Sequence, residues 1–251
     1  MIFYFSGCGN SKHVAETIAA GLNDNLVFIP EAARECRYEY ELAEGERLGF
    51  VFPIYSWAPP KLVLDFMKKL QLKAKPDYVY FACTCGDNCG LTEKVFRKAV
   101  EEKGWHLSAC FSVQMPETYI GMPSFKLDTP ENAQRKIDEA NDLLKRNIPR
   151  LINKECFSEI IVGSLAWLKT YLVNPGFNRS ATDDSKYRVT EACIHCGKCV
   201  ETCPLKNITL EDGRPKWHGN CTMCMGCYHH CPVNAIQYGK ATVGKAQYVF
   251  R

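Results

Sequence analysis

The chain has 251 residues, a formal net charge of +3 and 15 cysteines. This length fits one large domain or a medium domain with a small one. A composition of 46% hydrophobic and 24% charged residues is ordinary for a globular protein. The small net charge, without a basic stripe or tail, argues against nucleic acid as the main partner.

Short apolar segments alternate with longer amphipathic ones along the first part of the chain. The apolar runs predict five strands, at 2–6, 26–29, 48–52, 78–83 and 107–113. The amphipathic segments predict helices at 11–22, 60–70, 91–103 and 129–152. Uniformly apolar strands that alternate with helices form a parallel sheet covered on both faces. Residues 1–153 are therefore predicted to be a doubly wound α/β domain with a five-stranded parallel sheet.

Residues 154–188 are predicted to connect two domains. One amphipathic helix is followed there by the polar, turn-rich sequence NPGFNRSATDDSK. The apolar stretch at 160–173 contains Lys169 and is too short to cross a bilayer. No leader pattern follows Met1, so we expect a cytoplasmic protein without a membrane span. Its cysteines are then expected to be metal ligands or redox thiols rather than disulfides.

The C-terminal part carries an internal repeat. The pattern that begins at Cys193 recurs from Cys221, 28 residues later, with proline after the fourth cysteine of each copy. A thiolate every three residues wraps the chain around one compact object. Zinc, the alternative, usually binds two separated C-x2–4-C pairs, so the spacing favours iron–sulfur clusters. A segment of roughly 55 residues has little apolar core, and its metal sites are expected to keep it folded.

The same segment, residues 186–239, resembles bacterial-type 2[4Fe-4S] ferredoxins. The resemblance implies low-potential electron transfer by two [4Fe-4S] clusters, each bound by three cysteines of one copy and the fourth cysteine of the other. One cluster then takes Cys193, Cys196, Cys199 and Cys231. The other takes Cys203, Cys221, Cys224 and Cys227. The small α+β ferredoxin-like domain is assigned to 189–239, and the tail at 240–251 is expected to pack back as a strap.

The sequence SGCGNSKH at 6–13 joins the first strand to the first helix. A loop at this place presents N–H groups and a helix N-terminus to an anion. The loop lacks both the G-x-G-x-x-G pattern and the Walker pattern. It suits the binding of a single phosphate, and the alternative is a plain strand-to-helix turn. It resembles the phosphate loop of flavodoxins through Ser6, Cys8, Gly9, Asn10 and Ser11. Cys8 replaces the threonine that flavodoxins generally carry, and a thiol is the poorer hydrogen-bond donor.

Two further loops, 53–60 and 83–90, follow the third and fourth strands. The flavodoxin resemblance implies that the first places an aromatic ring against the isoalloxazine of FMN, and that the second wraps its polar edge. The predicted contacts are Pro53, Tyr55, Ser56, Trp57, Thr84, Cys85, Gly86, Asp87 and Gly90. The alternatives are a core aromatic at Trp57 and an ordinary glycine turn in the second loop. The stretch 114–119 is a further candidate for the rim.

Seven cysteines lie outside the repeat: Cys8, Cys36, Cys83, Cys85, Cys89, Cys110 and Cys156. Cys110 is predicted to be a core residue. The loops that carry Cys8, Cys83, Cys85 and Cys89 are expected to converge at one edge of the sheet. A third metal site or a redox-active pair there is the alternative to ordinary reduced thiols, which are the expectation. Three histidines lie beside ligands, either facing solvent or tuning a cluster: His195, His229 and His230.

The motifs YFSGCGNS, VFPIYSW, CTCGDNCG, SVQMPETY and CTMCMGCYHHCP occur together. They resemble the flavodoxin–ferredoxin fusion proteins of anaerobic bacteria and archaea, which implies FMN and two clusters but no defined reaction. No catalytic constellation is visible, which favours an electron carrier between a protein donor and a protein acceptor. The alternatives are a redox sensor and an FMN-dependent reductase of a small molecule. His13, Asp87, Glu117 or Tyr119 would donate the proton in the reductase.

Overall fold

The computed structural model describes residues 1–180 and 183–250. The strands of its first part are β1 (Ile2–Tyr4), β2 (Leu26–Phe28), β3 (Glu39–Tyr40), β4 (Leu48–Pro53), β5 (Gln71–Leu72), β6 (Val79–Cys85), β7 (Leu107–Gln114) and β8 (Phe157–Glu159). Six of them form a parallel sheet in the order β2-β1-β4-β6-β7-β8. The doubly wound, flavodoxin-like α/β fold predicted from the sequence is thereby confirmed.

Five helices cover the two faces of this sheet: α1 (Asn10–Leu22), α2 (Ile29–Arg34), α3 (Lys61–Lys69), α4 (Thr92–Glu101) and α5 (Pro130–Ile152). Alternate strand residues point to opposite faces, so each face has its own core. Phe50 and Phe81 pack with α2, α3 and α4, whereas Val51 and Tyr80 pack with α1 and α5. The strands are apolar throughout because both faces are covered.

The predicted number of five strands is wrong, because β8 adds a sixth strand at the edge. Phe157 of β8 pairs with Ala109 of β7 and packs against the ring of Phe111. An edge strand of three residues needs no continuous apolar run, so its sequence did not stand out from the connector. The polar stretch 31–46, for which the sequence predicts no element, contains the end of α2 and the short strand β3, which pairs with β5.

The connector is helical further than its sequence predicts. It forms α6 (Ala166–Leu168), a π-helical turn (Lys169–Val173) and α7 (Asn174–Ser180). The predicted turns at the start of NPGFNRS are therefore absent. The reason is tertiary: buried Asn174 hydrogen-bonds a neighbouring loop, and such contacts override local propensity.

The repeat is also a structural repeat. Its elements are β9 (Tyr187–Val189), α8 (Lys198–Thr202), β10 (Ile208–Glu211), β11 (Arg214–Trp217), α9 (Gly226–His229) and β12 (Ile236–Tyr238). Ile208 pairs with Trp217 in one antiparallel ladder, and Ile236 pairs with Val189 in the other. Both equivalences keep the offset of 28 residues, so each half-motif contributes one strand to each ladder.

Candidate cofactor site

The eight cysteines of the repeat line two small cavities, four cysteines to each. One cavity is lined by Cys193, Cys196, Cys199 and Cys231. The other is lined by Cys203, Cys221, Cys224 and Cys227. Each cavity therefore collects three cysteines from one copy of the repeat and the fourth from the other copy. This is the grouping that the resemblance to two-cluster ferredoxins implies.

The backbone around the two cavities repeats as well. Left-handed residues occur in equivalent pairs 28 residues apart: His195 with Met223, Gly197 with Met225, and Lys206 with Asn234. The N–H of Asn207 donates to Sγ of Cys203 at 3.3 Å, and that of the equivalent Ala235 donates to Sγ of Cys231 at 3.2 Å. Such donors stabilise the thiolate, which is the form that binds metal.

Four thiols around one cavity fit an iron–sulfur cluster better than a zinc ion. Within residues 1–180 and 183–250, no three His, Cys, Asp or Glu side chains are close enough to share a single metal ion. Zinc would need all four sulfurs at about 2.3 Å from one centre. A cluster places its own iron and sulfide atoms between the ligands, so its thiolates stand further apart.

A cavity of about 750 Å³ lies beyond the carboxyl ends of β1, β4 and β6. Its size suits a cofactor, and doubly wound sheets bind ligands at this edge. Twelve predicted FMN contacts line it: Ser6, Cys8, Asn10, Ser11, Pro53, Tyr55, Ser56, Trp57, Thr84, Cys85, Gly86 and Asp87. The two other predicted contacts do not line it, because Gly9 packs against Phe250 and Gly90 packs against Trp57.

The loop between β1 and α1 is braced by its own side chains. Gly9 N–H donates to Oγ of Ser6 at 3.2 Å, and Nδ2 of Asn10 donates to a backbone carbonyl at 2.8 Å. The hydroxyls of Ser11 and Thr84 lie 2.7 Å apart. Since the first N–H groups of a helix have no partner within it, the start of α1 suits a phosphate. The donor set of this loop therefore fits the phosphate end of FMN.

The thiol of Cys8 points to the second cysteine set. It donates to the carbonyl oxygen of Cys224 at 3.3 Å. Burial raises the pKa of Cys8, so the group stays a neutral thiol. A Cβ on Gly7 would lie 2.6 Å from Cβ of Cys224, so the absence of a side chain permits this close approach.

A largely buried ion pair links the loop after β6 to the segment between β7 and α5. Nζ of Lys136 donates to Asp128 at 2.7 Å and to the carbonyl of Gly86 at 2.8 Å. Burial alone would raise the pKa of Asp128, but the hydrogen bond from Lys136 helps to hold it below its ordinary value. Burial raises the pKa of Glu117, whose carboxylate occupies the space that a Cβ at position 86 would need.

The connector holds the aromatic loop after β4. Ser56 and Trp57 both adopt left-handed backbone conformations, with φ of 48° and 63°. Nδ2 of Asn174 donates to the carbonyl of Tyr55 at 2.9 Å, and Oγ1 of Thr170 donates to that of Trp57 at 2.9 Å. These bonds place Tyr55 and Trp57 in the cavity wall.

The unpredicted wall of the cavity has no signal in the sequence. This wall includes Met122, Phe125, Phe177, Lys186, Met223 and Tyr238. The residues come from five separate places in the chain and carry no shared motif, so no local signal could have grouped them. The rim candidate 114–119 does reach the cavity, through residues 115–119.

The tail packs back as a strap over both parts, as expected from the sequence. Nζ of Lys245 donates to the carbonyls of Met122 and Phe125 at 2.7 and 2.6 Å. Phe250 N–H donates to the carbonyl of Cys8 at 3.0 Å, beside the first loop. The tail thereby ties the cysteine domain to the sheet domain.

The buried cysteines outside the repeat have the surroundings of structural thiols, whereas Cys36 and Cys156 are exposed. Sγ of Cys83 and Sγ of Cys89 are 3.5 Å apart and buried. Burial raises the pKa of Cys83, and a hydrogen bond that the Cys85 thiol donates to Cys89, together with burial, raises that of Cys85. A raised pKa disfavours the reactive thiolate. The prediction that Cys110 is a core residue is confirmed.

The histidines beside the ligands differ from one another. His195 is exposed, and its Nδ1 lies 2.6 Å from the carbonyl of Gly213. His229 is buried, with Nε2 2.8 Å from the carbonyl of Thr118, and burial lowers its pKa to about 4. The solvent-facing alternative is therefore wrong for His229, which joins the two parts of the chain as a neutral ring.

The model of the 4Fe-4S dicluster domain family matches residues 192–236, which supports iron–sulfur clusters in the C-terminal part. Among solved structures, the chain resembles the Trp repressor binding protein from Bacillus subtilis (16% identity, TM-score 0.39), with 58% of this chain and 96% of that chain covered. It also resembles an azoreductase from Bacillus anthracis str. Sterne (9%, TM-score 0.36; 61% and 96% covered). A third structure is an NAD(P)H:quinone oxidoreductase from Methanothermobacter marburgensis (12%, TM-score 0.34; 60% and 94% covered). No curated protein sequence matches the chain.

None of the helices in the described residues has both the length and the apolar character that a membrane crossing requires.

Proposed function

We propose that this chain is an electron-transfer protein that holds FMN in the 750 Å³ cavity and a [4Fe-4S] cluster in each cysteine cavity. It carries low-potential electrons between protein partners. The observation that supports this most directly is the position of Cys224. Its side chain belongs to the lining of the second cysteine cavity and also to that of the large cavity. A shared wall keeps two redox centres close, and electron transfer is fast only over short distances.

When bound, FMN exchanges two electrons, singly or together, and each cluster exchanges one. Ser6, Ser11 and the first turn of α1 would hold the phosphate, because they supply hydroxyl and N–H donors. Tyr55 and Trp57 would pack on the ring, and the backbone at Gly86 would meet its polar edge. The connector contributes Val173 and Phe177 to the cavity wall and would limit contact of the flavin with water.

The first cysteine set offers a surface for a protein partner. Cys196 is exposed. Three exposed apolar side chains also line this cavity, namely Ile194, Leu210 and Val233. An exposed cluster surrounded by apolar side chains favours docking of a redox protein over reaction with a small diffusing substrate. We therefore assign electron exchange with partners to this cluster and proximity to FMN to the other.

A second candidate function, an FMN-dependent reductase, is favoured by the unpredicted wall of the large cavity. Phe125 and Phe177 are apolar, and Lys186 adds one cation to the cavity lining. A planar, electron-poor small molecule would suit this wall. Steady-state reduction of a soluble quinone would support this alternative, provided that Phe177→Ala raises the KM for the quinone. Transfer only to protein acceptors would contradict it.

The proposed function is tested by anaerobic reconstitution with iron, sulfide and FMN. We expect about eight irons and one flavin per chain, and about four irons in either Cys196→Ser or Cys227→Ser. Flavin reduction by a reduced ferredoxin should slow at least tenfold in Cys196→Ser. Cys36→Ser is the matched control, since Cys36 is exposed and lies outside both sets. Bound zinc, or an unchanged iron content in both ligand variants, would overturn the proposal.

A further inference from the structure

Residues 161–173 expose several large apolar side chains, which together we call the connector ridge. Eight of the fourteen large hydrophobic residues exposed in the described part of the chain belong to it: Ile161, Val162, Leu165, Trp167, Leu168, Tyr171, Leu172 and Val173. Leu165 is 69% exposed and Trp167 is 61% exposed. Monomeric proteins rarely leave such a patch open unless it binds something. Neither the clusters nor the FMN cavity accounts for it.

The ridge has the reverse of the usual amphipathic arrangement. A surface helix normally buries its apolar stripe and exposes its polar face. Here the buried side chains are polar, because Thr170 and Asn174 face the protein. Oγ1 of Thr170 accepts from Leu91 N–H at 2.9 Å in addition to its bond to the loop after β4. The polar contacts anchor the helix, and its apolar side chains point outwards.

We propose that the connector ridge inserts into the interfacial layer of an anionic lipid surface. Residues 160–180 contain Lys169 and Arg179 but no Asp or Glu, so the segment complements negative headgroups. The rings of Trp167 and Tyr171 lie 6.0 Å apart, and amphipathic aromatic side chains favour the depth of the headgroups. The segment is too short to span a bilayer, which leaves a position in the plane of the interface.

Val173 belongs both to the ridge and to the wall of the 750 Å³ cavity. A ridge seated in lipid would therefore hold the cavity next to the membrane surface. The inference about lipid does not depend on which group fills that cavity.

The test is co-sedimentation of the cluster-loaded full chain with phosphatidylcholine vesicles that contain or lack phosphatidylglycerol. We expect binding to the anionic vesicles and an affinity about tenfold or more lower for Leu165→Glu/Leu172→Glu. Val243→Glu is the matched control, because Val243 and Leu172 are both 57% exposed. The control variant should bind the vesicles with the affinity of the original sequence. An iron content equal to that of the original sequence shows that the variants remain folded.

Failure of the unchanged chain to sediment with anionic vesicles would overturn the proposal, and so would equal losses in the ridge variant and the control. Light scattering adds a further outcome. A dimer that the ridge variant dissociates, without vesicle binding, would make the ridge an interface between two copies and would refute the lipid assignment.

Discussion

Individual residues at the contact between the two parts are selected for size as much as for chemistry. Gly7 leaves room for Cys224 of the cysteine domain, and Gly9 leaves room for Phe250 of the strap. Cys8 is small and apolar enough to be buried, and it still donates one hydrogen bond to the cysteine loop. A substitution that adds a single carbon at such a position forces backbone to move, because both sides of the contact are packed.

Gly7→Ala tests this contact directly. The new Cβ would lie 2.6 Å from Cβ of Cys224 and 3.0 Å from its carbonyl oxygen. We expect a loss of about 1 to 3 kcal/mol in the free energy of unfolding, together with faster iron release to a chelator. Denaturant unfolding under anaerobic conditions measures the first, and absorbance of the released iron measures the second.

Gly176→Ala is the control, since a Cβ at Gly176 meets no atom within 4 Å. It should keep or slightly increase stability, because alanine favours a helix more than glycine does. Equal iron release from both variants would contradict the proposed packing at Gly7.

At the scale of elements, the cavity is held by segments that lie outside the sheet. Helix α5 brings Lys136 beneath the loops after β6 and β7, and the connector brings Thr170 and Asn174 against the loop after β4. Each link satisfies buried polar groups, so the loops are held at a defined distance across the cavity.

Lys136→Met should destabilise the protein by about 2 to 4 kcal/mol, because Asp128 would lose its buried partner. The affinity for flavin should also fall, since Lys136 donates a hydrogen bond to the carbonyl of Gly86 in the cavity wall. Thermal unfolding and flavin titration measure the two effects. Arg135→Met is the neighbouring control: its ion pair with Glu139 is exposed, and such pairs contribute about 0 to 1 kcal/mol. Similar losses in both variants would refute the role of burial.

At the scale of the whole molecule, the two parts share a core. Ile120, from the segment after β7, packs in the cluster that contains Tyr228 and Ile236. Tyr228 donates to the carbonyl of Lys245 at 2.6 Å, so the strap closes over the same core. The ferredoxin-like part is therefore supported by its neighbour, while its interior depends on the cysteine cavities.

Removal of iron by a chelator should unfold the segment 187–238 and leave the main sheet intact, because metal sites replace a core at this size. Hydrogen exchange should show lost protection in β9–β12 and retained protection in β4, β6 and β7. Restoring iron and sulfide should return the protection. Retained protection in β9–β12 without iron would mean that the apolar core suffices.

Much of this arrangement could be predicted because its signals are local. The strands β4, β6 and β7 are continuous apolar runs, so their burial and parallel pairing followed from composition and period. The edge strand β8 was missed, since three half-exposed residues carry no such period. The unpredicted wall was missed for a different reason: Phe125 and Phe177 both pack against Tyr119, and they come together only after the chain has folded.

The sequence by itself determined the parallel sheet, the repeat of 28 residues and which cysteines belong to that repeat, because spacing and periodicity act over a few residues. Only the tertiary structure decided that Cys224 lies between two cavities and that the connector helix turns its polar side chains inwards. Both outcomes depend on contacts between residues far apart in the chain, and local propensity does not specify which distant surfaces meet.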